Sequence, residues 1–214
     1  MTLRNLEVVE SLRDTEQATL LAVLDRTLSP MGRRMLRRRL LSPLVDLAEI
    51  DARLDAVDDL SAYASVRRGI REALKRIQDL ERLAAKISAG RAGPRELLGL
   101  SRSLEALPEI RASAGTPESS RLRSLVQDLD TLEDVSQEIA EALDPEAPAQ
   151  LSAGGVIRSG FSDELDELRE LRDGAVEWIA GMQRVERKRT GIENLKIGYN
   201  KVFGYYIEVS SRNL

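Results

Sequence analysis

Apolar residues recur at alternating spacings of three and four along most of the first 190 positions, the period of a helix with one buried face. Leu47, Ile50, Leu54, Val57 and Leu60 form one such face, and Ile70, Leu74, Ile77, Leu80, Leu83 and Ile87 form a second. Leu97, Leu100, Leu104 and Leu107 make a third, and Leu122, Leu125, Leu129, Leu132, Ile139 and Leu143 a fourth. Each face is expected to pack against neighbouring helices. Gly90, Gly93 and Pro94 break the pattern, with Pro94 suited to a first helical position. At Gly115-Thr116-Pro117 a second break is expected, Thr116 capping the next helix and Pro117 opening it. Pro145 and Pro148 end that helix, and Gly154-Gly155-Val156-Ile157 reads as a loop with at most one short strand.

Ser162 then caps the longest predicted helix, with Asp163 and Glu164 at its positive dipole end. Its apolar seam runs Leu168, Leu171, Ala175, Trp178, Met182 and Val185, a narrow stripe that needs one or two partner helices. Continued to about Thr190, the helix would be roughly 40 Å long and would project from a compact body like an arm. Beyond it the period falls to two. Leu195, Ile197 and Tyr199 alternate with Lys196, Gly198 and Asn200, and Tyr205, Ile207 and Val209 with Tyr206, Glu208 and Ser210. Lys201-Val202-Phe203-Gly204 between the runs predicts a hairpin loop, with Gly204 free to take positive φ. The predicted fold is mostly α: a multi-helix core over residues 1–161, a long projecting helix over 162–190, and a small antiparallel β hairpin beginning at 191.

Composition sharpens this picture by exclusion. With 42% hydrophobic but 3% aromatic residues and 32% charged ones, the chain suits long amphipathic helices rather than sheets. There is no run of about 18 apolar residues, so no membrane span is expected. The absence of Cys and His removes disulfides, thiolate and histidine metal sites, and Ser-His or Cys-His nucleophiles. Neither G-x-x-x-x-G-K-[ST] nor G-x-G-x-x-G occurs, so the chain is not expected to be an enzyme on its own. The net charge of −4 conceals an asymmetry: Met182–Leu214 holds seven basic residues against three acidic ones, leaving an acidic body with one positive end. A positive end points to contact with an anionic partner at one tip.

Several segments together resemble the MutS family of mismatch-repair ATPases. They are Thr2-Leu3-Arg4-Asn5-Leu6-Glu7, Leu24-Asp25-Arg26-Thr27, Pro30-Met31-Gly32-Arg33-Arg34-Met35-Leu36, Leu40-Leu41-Ser42-Pro43-Leu44 and Asp79-Leu80-Glu81-Arg82. Gly155-Val156-Ile157, Gly160-Phe161 and Glu164-Leu165-Asp166 follow in the same order. The most specific stretch is Thr190-Gly191-Ile192, Leu195-Lys196-Ile197-Gly198-Tyr199-Asn200 and Val202-Phe203-Gly204-Tyr205-Tyr206-Ile207-Glu208-Val209. One departure is Arg39, where the family often has Trp before the Leu of this motif. The resemblance makes residues 1–161 the family's helical core, 162–190 its ascending lever and 191–214 the start of its DNA clamp. It implies that the mismatch-reading, connector and nucleotide-binding parts lie outside this chain. It also implies a bacterial, cytoplasmic and nucleoid-associated homodimer that binds duplex DNA, uses ATP and magnesium and works with a MutL-type partner.

In such a clamp, the residues expected to meet DNA phosphates are Asn200, Lys201, Ser210, Ser211, Arg212 and Asn213. Asn200 equally suits the turn, and Ser210 the end of a strand. Tyr199, Phe203 and Tyr205 are read as the small core of the clamp rather than as base-stacking residues. The run Arg33, Arg34, Arg37, Arg38 and Arg39 is read as structural, paired with Asp46, Asp51, Asp55, Asp58 and Asp59 downstream. The competing function is a helical scaffold whose hairpin binds another protein.

Overall fold

The structure is a computed structural model and describes residues 3–12, 19–200, 202 and 204–210. The chain divides into two compact units, Met1–Arg158 and Ser159–Leu214. The first is helical: α1 (Leu20–Leu24), α2 (Pro30–Leu41), α3 (Leu47–Ala62), α4 (Ala64–Leu74), α5 (Leu80–Ser88), α6 (Pro94–Leu104), α7 (Leu107–Ala114), α8 (Ser120–Gln127) and α9 (Glu133–Ala142). The second holds α10 (Asp163–Thr190) and an antiparallel hairpin of β1 (Lys196–Asn200) and β2 (Gly204–Glu208). Among the described residues no helix is long and apolar enough to cross a membrane.

Helix α6 is the centre of the first unit. Pro94 opens it, and the Glu96 carboxylate turns back to accept the Gly93 N–H at 3.0 Å, satisfying one of the end's free donors. Leu104 at its C-terminal end joins Ile77, Ala106 and Leu107 in one buried cluster. Leu98 on another turn joins Leu143 and Ala147 in a second. Two of its serines, Ser101 and Ser103, are buried as well, and each is satisfied. The fully enclosed Ser103 hydroxyl donates to the Gly99 carbonyl at 2.8 Å and accepts from the Gln78 N–H at 3.1 Å. Ser101 and Ser136 each donate to the other's backbone carbonyl, at 3.0 and 3.1 Å, which ties α6 to α9. The segment expected to be a loop with a short strand contributes one isolated bridge, Leu143 with Ile157.

Two periodic runs are interrupted where hydrophobic spacing carries no signal. The face Ile70–Ile87 belongs to two helices, because Asp79 caps α5 by accepting from the Arg82 N–H at 3.2 Å. The run Leu122–Leu143 likewise divides into α8 and α9 at Leu132, which takes φ 47° while its N–H meets the Asp130 carboxylate. The expected cap at Thr116 is corrected to Ser119, whose hydroxyl accepts from Leu122 N–H. Asp59 on α3 accepts the N–H groups of both Glu118 and Ser119, at 2.8 and 2.9 Å, and so holds this segment outside the helix.

Two expectations about faces and pairs also change. On α3 the predicted buried stripe is open: Leu47, Leu54 and Val57 are exposed, while Ile50 and Leu60 are half-buried. Periodicity marks an amphipathic helix without identifying what covers it. Two of the five α2 arginines, Arg33 and Arg34, have structural partners, but different ones. Arg33 pairs with Asp25, and Arg34 bridges Asp79 and Glu81, with Nη2 2.7 Å from the Asp79 carboxylate. Asp46 instead caps α3, and Asp59 holds the α8 approach.

The Arg34 guanidinium, with help from the Arg82 N–H, lowers the Asp79 carboxyl from its ordinary 3.8 to about 2. Because the folded value is depressed, the stabilisation is complete above the unfolded value and is lost as pH falls through about 2. Asp79→Asn is therefore expected to lower the urea midpoint at pH 7, with the difference from the parent chain shrinking between pH 4 and pH 2. Leu104→Ala, at a site 3% exposed, is expected to cost about 2–5 kcal/mol by the same measurement at any pH.

Candidate nucleic-acid interface

Helix α10 starts as its sequence directs. The Ser162 hydroxyl accepts the Leu165 N–H at 3.3 Å, and Asp163, Glu164 and Asp166 lie in the first turn, where the helix dipole favours negative charge. Asp166 also accepts the Gly160 N–H and pairs with Arg169, and these donors hold its carboxyl below the usual range. At the other end Arg187, Lys188 and Arg189 fill the last turn, the arrangement the dipole favours for cations. Gly191 ends the helix at φ 73°, its N–H meeting the Arg187 carbonyl at 2.9 Å.

Three side-chain contacts then fix the hairpin, two of them from the helix. Arg187 Nε donates to the Leu195 carbonyl at 2.7 Å. Gln183 Oε1 accepts the Ile197 N–H at 2.9 Å, and Asn194 Nδ2 donates to Ser210 Oγ at 2.7 Å. Leu195, 3% exposed, is the buried residue at this joint. Strand register places Lys196 opposite Glu208, Gly198 opposite Tyr206 and Tyr199 opposite Tyr205. A side chain at 198 would come within 2.8 Å of the Tyr206 ring, so the glycine makes room for that tyrosine. Gly204 takes φ 75°, as its place in the turn requires.

Of the six expected phosphate contacts, Asn200 and Ser210 are among the described residues, and they lie at opposite ends of the hairpin. Asn200 sits at the turn and is exposed, and its Oδ1 accepts the Val202 N–H at 2.7 Å, so its side chain serves the turn. Ser210 lies two residues past β2, beyond the open end of a hairpin whose five-residue strands span about 14 Å. Lys201, Ser211, Arg212 and Asn213 lie outside the described residues, as does Phe203. The expected tyrosine core is corrected. Tyr199 and Tyr205 meet with ring centroids 5.0 Å apart, yet each remains more than 60% exposed, because among the described residues the two-stranded hairpin has no second layer to cover them.

Gln183 and Arg187 were not among the sequence candidates. Helical spacing places both beside the apolar seam, but nothing in the sequence pattern distinguishes a residue that grips the hairpin from one that faces water.

The MutS domain III family model matches residues 1–197. The chain belongs to the MutS family. It is 47% identical over 219 residues to the DNA mismatch repair protein MutS of Solibacter usitatus, covering 100% of this chain and 25% of that relative. The protein of the same name from Pelotomaculum thermopropionicum is 44% identical over 218 residues, and that of Symbiobacterium thermophilum 47% over 215. Coverage of this chain is 100% in both, and of the relatives 25% and 24%. The chain thus spans about a quarter of the length of the curated MutS relatives it matches.

Arg187→Ala removes the helix's donor to the Leu195 carbonyl. Hydrogen exchange should show hairpin amides opening roughly tenfold faster, about the worth of one charge-assisted bond, while the circular dichroism of the helices is unchanged.

Proposed function

We propose that this chain is the core, lever and clamp-entry segment of a DNA mismatch-repair protein, and that its hairpin holds duplex DNA through the phosphate backbone. The observation that carries the reading is the joint between α10 and β1. Gln183 and Arg187 bind a hairpin directly to the basic end of a 28-residue helix. Such a joint presents Lys196 and the adjoining basic turn of α10 on one rigid element, suited to sequence-independent attraction to phosphates. Lys201 and Arg212 are the side chains proposed to add direct contacts, with Ser211 and Asn213 as supporting donors.

The proposal places mismatch reading and ATP hydrolysis elsewhere in a longer protein. This sequence has no phosphate loop, and among the described residues no group of three or more acids is placed to hold a metal ion. On this reading ATP and magnesium are held by other parts of the longer protein. The longer protein is proposed to act as a homodimer around DNA in the bacterial cytoplasm, with a MutL-type partner. A rigid rotation of α10 would carry the hairpin toward or away from the duplex. The protein-binding alternative draws on one observation: Tyr199, Tyr205 and Ile207 leave an exposed apolar face on the hairpin.

Fluorescence anisotropy with a labelled duplex separates the two. The chain is expected to bind perfectly paired and mismatched duplexes equally and weakly, with affinity falling as salt rises. Lys201→Ala and Arg212→Ala should each weaken binding to all sequences alike and reduce the salt slope by about 1. Absence of binding at low salt, or binding indifferent to salt, would favour the protein-binding reading.

A further inference from the structure

One polar face of α10 changes sign along its length. Asp166, Glu170, Asp173 and Glu177 recur at helical spacing and line one shallow recess. About two turns past Glu177, on the same face, stand Arg184 and then Lys188. Ala180 and Gly181 fill the interval without charge. The acids are not equal. Asp166 pairs with Arg169 and Asp173 with Arg172, whereas Glu170 and Glu177 are exposed and in no ion pair among the described residues. The basic end divides in the same way. Arg187 is committed to the Leu195 carbonyl and Arg189 to Glu186, while Arg184 and Lys188 are exposed and in no ion pair among the described residues.

We infer that this face is an electrostatic stop for a bound duplex: Arg184 and Lys188 carry the hairpin's phosphate grip onto α10, and Glu177 ends it. The inference rests on the proposed phosphate-binding role of the hairpin. Position supports it. Gln183 and Arg187 hold the hairpin, and Arg184 and Lys188 each follow one of them, about 100° round the helix. The same contacts tie Leu195 and Ile197 to α10, which keeps Lys196, between them, at this joint. Charge supports it too. The other charges around the joint cancel, Arg187, Arg189 and Lys196 against Glu186, Glu193 and Glu208, so Arg184 and Lys188 supply its positive excess. Glu177 lies about 10 Å from Arg184 along the axis, one Debye length at about 0.1 M salt, and Glu170 about 21 Å away, beyond that reach. Glu177 is therefore the carboxylate that a phosphate moving down the helix meets first.

Duplex-binding anisotropy of the whole chain, read across a salt series, tests the stop. Arg184→Ala and Lys188→Ala, both at exposed positions, are each expected to weaken binding about threefold or more and to reduce the salt slope by about 1. Glu177→Gln should strengthen binding about twofold at about 0.1 M salt, where Glu170→Gln, the same change in net charge, should leave it unaltered. At about 0.01 M salt, where the Debye length grows to about 30 Å, both should strengthen it. Glu177→Lys should add a phosphate contact and raise the slope by about 1. Equal gains from Glu170→Gln and Glu177→Gln at the higher salt would reduce the face to bulk charge and refute the stop. If Lys201→Ala and Arg212→Ala weaken binding while Arg184→Ala and Lys188→Ala do not, the hairpin's role stands and the stop falls. A parent chain that binds no duplex at low salt overturns both.

Discussion

Across the contact between α6 and α9, the Ser101 and Ser136 hydroxyls each donate to the other's backbone carbonyl in a region closed to water. An unpaired hydroxyl at such a place costs about 1–3 kcal/mol, so the two helices are held to one relative position in which both are satisfied. The apolar clusters are arranged around that constraint. The Leu104 cluster forms where α6 ends and α7 begins, and the Leu98 cluster forms where the segment after α9 returns beside α6. Hydrophobic burial supplies most of the cohesion, but it is indifferent to small slides along a helix axis. The paired serines, and Ser103 with Gln78, are what resist sliding.

Outside this centre the first unit relies on polar cross-links between elements distant in sequence. Arg34 reaches Asp79 and Glu81 across 45 and 47 positions, Asp59 reaches the α8 approach, and Tyr63 donates to the Glu118 carboxylate. Each spans the surface rather than the interior, so the periphery is softer than the α6 core and depends on ionisation. Much apolar surface remains on α3 and α10. This chain accordingly has two kinds of surface: a solvated one laced by ion pairs, and one built to be covered.

Much of this architecture was legible in the sequence because it rests on periodicity. The Pro94 start of α6, the Ser162 cap of α10 and the alternation around Gly204 are local signals, and each appears in the structure. Helix divisions at Asp79 and Leu132 were not legible, since they arise from Asp side chains meeting nearby N–H groups while the apolar period runs on unbroken. The partners of Arg34 were misread for a related reason: charge pairing is decided by tertiary proximity, and nearness in sequence favoured the wrong acids. At the candidate interface the family pattern named residues, of which Asn200 proves to serve its own turn. The contacts that orient the hairpin, from Gln183 and Arg187, needed three-dimensional placement to be found.

Arg187 holds two structures at once: its carbonyl receives the terminating Gly191 N–H, and its guanidinium grips the Leu195 carbonyl at the start of the hairpin. Helix end and strand start are thereby locked in phase, like a blade pinned to a shaft. The length of α10 then sets where the hairpin points as well as how far it reaches. One inserted residue would turn it by about 100° and advance it by about 1.5 Å, aiming the same side chains in another direction. Seven inserted residues would nearly restore the direction while moving the hairpin about 10 Å outward. Length changes in this helix are therefore tolerable only in near-whole turns, a discreteness that no surface loop in the chain would impose.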